Sequence, residues 1–118
     1  INHCAKPNLS KEPAELWKSQ LANLSACRNV YIKLSGLLTE APQGNVSQEV
    51  IQPYFEHVMS FFGVDRVMWG SDWPVIKLNG DYETWVEMTE SLLKNHSIID
   101  KRKVWSLNAK QFYNLPLY

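Results

Sequence analysis

The chain has 118 residues, 45% of them hydrophobic, with five tryptophans and a formal charge of zero. That is enough apolar material for a packed core, and the neutral balance excludes the charge asymmetry that would point to nucleic acid or an anionic membrane as partner. No run approaches the roughly 18 consecutive apolar residues of a membrane span.

Two cysteines, Cys4 and Cys27, are too few for a disulfide scaffold and lack metal-binding spacing,. They read as free thiols of a cytoplasmic protein. The Asn-x-Ser sequons at Asn8, Asn23, Asn45 and Asn95 point toward secretion instead, and count for less because Asn23 falls inside an expected helix,. The chain opens Ile-Asn-His without Met, which reads as a chain cut from a longer one,.

In chain order, Ile1–His3 has the character of a strand end. Ser10 is the expected N-cap of a helix that tolerates Pro13 in its first turn and carries Leu16, Trp17, Leu21 and Leu24 on one face,. Asn29–Ser35 alternates, with Val30, Ile32 and Leu34 on one side and Tyr31, Lys33 and Ser35 on the other,. Gly36 ends the run, and a polar loop through Pro42, Gly44 and Asn45 is expected. A helix over Ser47–Phe62 follows, with Tyr54, Val58, Phe61 and Phe62 on one face and Gly63 as its stop; Pro53 kinks it or opens a new one,.

Asp65–Ser71 is a strand whose unbroken apolar stretch suits burial on both faces,. Asp81 caps a helix bearing Trp85, Met88 and Leu92, and Asp100 caps a last one running to about Tyr113, before Pro116,. Strands thus alternate with helices, with starts about 30 residues apart, and no repeat or low-complexity segment intervenes. The pattern predicts one α/β domain over residues 1–118 with a parallel sheet. It fits the last three units of a (β/α)8 barrel, a fold of about 250 residues, and equally a small doubly wound sheet.

Asp72, in "WGSDWPV", is either the turn residue at a strand end or a chemical group,. Barrel geometry favours chemistry, because catalytic groups stand at the C-terminal ends of strands. A lone histidine such as His3 is more often structural. Lys33 shares strand parity with Tyr31 and Ser35, so it faces the barrel interior or its mouth. There it is either paired with a carboxylate or an anchor for substrate. Trp73 is core or an apolar pocket wall. Lys6 and Ser35 are further polar groups near the strand ends, and His57 and His96 read as surface residues.

Four phrases, "NHCAKP" (2–7), "VYIKLSG" (30–36), "FGVDRVMWGSDWPV" (62–75) and "NAKQFY" (108–113), resemble the amidohydrolase-related family in its sugar-lactonase branch. The resemblance covers nearly the whole chain and implies its C-terminal part, with these phrases on the sixth to eighth strands of a (β/α)8 barrel. It implies a hydrolase that opens a sugar-derived lactone, with a small-molecule substrate and neither nucleic acid nor membrane as partner. A homo-oligomer is compatible with it.

By the same resemblance Asp72 and His3 are catalytic, with Asp72 as general base toward water; Lys33, by its strand parity, and Trp73, by its position beside Asp72, are the candidate substrate contacts. The family includes members with and without a divalent ion. Zinc is the ion implied, with His3 and Asp72 as two ligands where a catalytic site takes three. Two departures stand against the family's pattern: Asn2 where Asp is usual, and no pair of histidines separated by one residue anywhere in the chain. A decarboxylase of the same superfamily and a non-catalytic remnant are the alternatives.

Overall fold

The alternation around Ile32 does produce a strand, shorter than its pattern. In the computed structural model, which describes residues 1–116, strand β1 (Ile32–Leu34) pairs in parallel with β2 (Val67–Trp69) in the register Ile32↔Val67, Lys33↔Met68, Leu34↔Trp69. Ile1 extends the sheet on the other side of β1. Its nitrogen donates to the Tyr31 carbonyl at 2.7 Å, and the Lys33 N–H donates to the Ile1 carbonyl at 2.9 Å. Segments at Ile1, Ile32 and Val67 therefore lie side by side in chain order. The expected first strand is cut to one residue because the backbone turns away at His3, where φ is 49°.

The two faces of β1 divide as the alternation requires. Ile32 and Leu34 are fully buried in the helix-side core, while Lys33 is half-buried on the other face. Val67 and Met68, of opposite parity, are both buried, so β2 is covered on both sides,.

The helices correct the expectations in detail. Ser10 does not cap; it bonds the Asn8 side chain instead, and α1 runs Glu15–Ser25 from Ala14. Only Trp17 and Leu21 of its expected stripe are buried, because a single i,i+4 pair suffices to meet α3, and Leu16 stays 67% exposed,. The expected loop after Gly36 contains a short helix, α2 (Leu37–Glu40), with Leu37 and Leu38 buried. Asn79 holds it: its Nδ2 donates to the carbonyls of Leu38 at 2.8 Å and Ala41 at 3.0 Å.

Helix α3 (Gln48–Phe62) starts after Ser47 and ends at Gly63 as expected, and Pro53 sits within it as one assigned helix rather than opening a second. Phe61 is only half-buried; Ile51 and Phe55 complete the buried face. In α4 (Tyr82–Leu92) Asp81 caps as read, accepting from the Thr84 N–H at 2.7 Å. The last helical region is capped by Ser97, not Asp100, because the Ser97 hydroxyl oxygen accepts the Asp100 N–H at 3.2 Å. It comprises α5 (Ile98–Arg102), a π-helical stretch (Lys103–Leu107) and α6 (Asn108–Phe112). Asn108 ties it to β2, donating to the Val64 and Val67 carbonyls at 2.6 and 2.8 Å. Among the described residues no helix is long and apolar enough to cross a membrane.

Candidate active site

Beyond Ile1 the backbone enters four consecutive left-handed residues: His3, Cys4, Ala5 and Lys6, with φ of 49°, 51°, 60° and 48°. Non-glycine residues in this region cost about 1–2 kcal/mol each, so the surroundings must hold the turn. Two backbone bonds close it, Ala5 N–H to Asn2 at 2.9 Å and Lys6 N–H to His3 at 2.8 Å. The Trp17 indole donates to the Cys4 carbonyl at 2.9 Å, and the Cys4 thiol donates to the Lys33 carbonyl at 3.3 Å. Cys4 is fully buried, and burial pushes its thiol up to about 12, which keeps it neutral and structural,.

The turn presents the His3 ring to the ends of both strands. Its Nδ1 lies 2.8 Å from Ser35 Oγ, just beyond β1. Ser35 thus holds the ring, while Asn2, which stands where the family usually has Asp, is exposed and makes no side-chain bond to it,. Gly36 backs the ring. A Cβ there would stand 2.8 Å from His3 Cβ, and φ is +73°, so glycine is required on both counts,.

Asp72 reaches the same place from beyond β2. It is a left-handed turn residue, φ 58°; Pro74 does not hold it extended, since a proline restricts only the residue before it. Trp85 steadies the approach by donating its indole N–H to the Gly70 carbonyl at 2.9 Å. The Asp72 carboxylate faces inward, its side chain 11% exposed. Oδ1 lies 3.5 Å from His3 Nε2, and Oδ2 accepts from the Thr39 hydroxyl at 3.1 Å. Asp72 is therefore a turn residue whose carboxylate also faces His3 and Thr39.

Around this pair lies a cleft of about 100 Å³, bordered by His3, Lys6, Gly36, Thr39, Glu40, Asp72 and Val75. A carboxylate with one oxygen held and the other beside an imidazole can orient and deprotonate a water. The Asp72 carboxylate can only accept, which favours the ring proton on Nε2; the Ser35 hydroxyl, able to donate or accept, then donates to Nδ1,.

The other expected site residues are not brought here. Lys33 lies on the Ser35 face of β1, one pleat lower, with Nζ 5.5 Å from the centre of the Tyr113 ring; among the described residues it forms no ion pair. The salt-bridged reading of Lys33 is therefore not what the described residues show. Trp73 does not border this cleft and is 62% exposed, with Lys77 Nζ 5.7 Å from its ring centre. His57 packs against Phe61 and Trp17, and the half-buried His96 against Phe55, its Nδ1 without a protein partner. Thr39 was missed. It sits on α2, the helix hidden in an expected loop, and Thr alone gives no signal there.

Nε2 and Oδ1 are spaced as two ligands of one tetrahedral zinc would be, about 3.4 Å apart. Among the described residues no third His, Cys, Asp or Glu joins them. The set does not fit a catalytic metal site by itself, and Glu40 borders the cleft without completing it.

The chain is similar to known proteins over nearly its whole length. The chain is 38% identical to L-fucono-1,5-lactonase of Burkholderia ambifaria over 98% of its own length and 41% of that protein's. It is 28% identical to L-rhamnono-gamma-lactonase of Scheffersomyces stipitis, again over 98% of this chain, and 40% of the relative. The chain thus spans about two-fifths of the length of these relatives. The crystal structure of an amidohydrolase from Burkholderia multivorans with bound zinc superposes with a TM-score of 0.91 at 31% identity, covering 98% of this chain and 43% of that one. The fold is accordingly the C-terminal part of a (β/α)8 barrel, not a doubly wound sheet. The model of the amidohydrolase family matches residues 1–115, and the chain belongs to that family.

Proposed function

We propose that the cleft between His3 and Asp72 belongs to the active site of a hydrolase that opens a sugar-derived lactone. The observation that carries this reading is the convergence of Asp72 Oδ1 and His3 Nε2, 3.5 Å apart, at the same end of the two strand positions that flank β1. That is where barrel enzymes carry their chemistry. The lactonase names of the relatives supply the substrate class.

Asp72 takes a proton from water, and the hydroxide oxygen bonds to the lactone carbonyl carbon while the C=O electron pair moves to oxygen. Collapse restores the carbonyl and breaks the ring C–O bond, and the alkoxide leaves with the proton that Asp72 returns. Thr39 keeps Oδ2 occupied, so Oδ1 is the oxygen that faces water and His3. The His3 ring donates from Nε2 to oxygen atoms in the cleft that gain charge. A zinc ion on His3 and Asp72 would need a third ligand from outside the described residues,.

The test is to supply L-fucono-1,5-lactone and L-rhamnono-gamma-lactone to the full-length protein and follow acid release in weak buffer. Catalysed acid release supports the reading. Carbon dioxide from a carboxylated ring, without acid release from lactones, would favour the decarboxylase. No turnover of either would favour a non-catalytic remnant, the reading that the two-ligand cleft also allows.

A further inference from the structure

We infer that Lys6 is the substrate-contacting cation of this site, the group that holds the lactone carbonyl oxygen as it becomes negative; the inference rests on the hydrolase reading. The turn from His3 to Lys6 supports it. In a turn closed by i→i+3 bonds, three residues complete one revolution, so residues i and i+3 lie on the same side. His3 and Lys6 are such a pair, joined by the Lys6 N–H to His3 carbonyl bond at 2.8 Å. An extended chain, with its period of two, would send them to opposite faces.

The left-handed path therefore does one specific thing. It buries Cys4 and turns both His3 and Lys6 to the cleft that Asp72 closes. Lys6 is itself an outlier, with φ 48° and ψ 63° immediately before Pro7, where extended backbone is the norm,. Its side chain is exposed and forms no ion pair among the described residues, not even with Glu40 across the same cleft. Strained backbone that delivers an unpaired cation beside a carboxylate and an imidazole marks a contact with ligand. Lys33, by contrast, does not border this cleft.

In the reaction, the electron pair displaced from the carbonyl comes to rest on the oxygen facing the Lys6 ammonium, and returns to the C=O bond when the ring C–O bond breaks. No proton leaves the ammonium. After ring opening the same cation faces the carboxylate of the sugar acid, so Lys6 should govern product affinity as well as rate.

The experiment compares Lys6→Met and Lys6→Arg with wild type in the full-length protein. Lys6→Met is expected to lower kcat/KM for L-fucono-1,5-lactone by about 10²–10³, with part restored in Lys6→Arg, and to weaken L-fuconate binding by calorimetry at least tenfold. The thermal midpoint should hold, since the side chain is exposed. A kcat/KM within twofold of wild type in Lys6→Met would overturn the inference. If wild type opens no lactone, the hydrolase reading fails by itself and calorimetry decides Lys6: L-fuconate bound equally by wild type and Lys6→Met, or by neither, would also overturn it.

Discussion

The Trp17 indole donates to the Cys4 carbonyl across 2.9 Å, and through that bond a core residue of α1 holds the left-handed turn that aims His3 and Lys6. Trp17 also meets Tyr54 edge-on at 5.4 Å, so the turn is anchored to α3 as well. Trp17→Phe keeps most of the ring packing and removes the donor. Leaving a buried carbonyl unpartnered should cost about 1–3 kcal/mol, read by chemical denaturation. Activity well below the melting range should fall further than the unfolded fraction explains. A stability loss with unchanged kcat would show that the turn does not need this bond.

Lys33→Met separates the two readings of that lysine. A fully buried ion pair broken from one side costs about 3–5 kcal/mol, but Lys33 meets the Tyr113 ring and no carboxylate among the described residues. The variant should therefore stay within about 1 kcal/mol of wild type, the range of a lost cation–π contact. If Lys33 reaches substrate from below the cleft, KM rises with kcat unchanged. A drop of several kcal/mol would instead reveal a carboxylate partner beyond the described residues.

How far the site was legible depends on whether a residue's role was local. Asp72 and Asp81 could be placed from their own neighbourhoods, one at the end of an apolar strand and the other as an N-cap. The parity of Lys33 followed from the alternation of Ile32 and Leu34. The turn at His3–Lys6 could not be read, because nothing in "NHCAKP" announces left-handed backbone; the bond from Trp17, thirteen residues on, supports it. Ser35 and Thr39 gained their roles only when the strands placed them beside His3 and Asp72. Helix α2 was hidden because Leu37 and Leu38 are its only apolar pair, too short a stretch for periodicity to show,.

Residues 1–118 expressed alone should self-associate. Among the described residues strand β2 has no partner on the side away from β1, and an open parallel edge invites pairing with other chains,. Phe112, Tyr113 and Leu115 are each about half exposed, next to the face that carries Lys33. Size-exclusion chromatography should show oligomers or aggregate, with no turnover of lactone. A monomer that melts cooperatively would show that this piece completes its own core.

In the proposed reaction the Asp72 carboxylate acts on water in the cleft it shares with His3. Asp72→Asn keeps the side chain's shape and can still accept from Thr39 through its amide oxygen, while removing the base. In the full-length protein, proton release from L-fucono-1,5-lactone should fall by about 10²–10⁴, with the thermal midpoint little changed. Hydrolysis by Asp72→Asn at close to the wild-type rate would contradict the account.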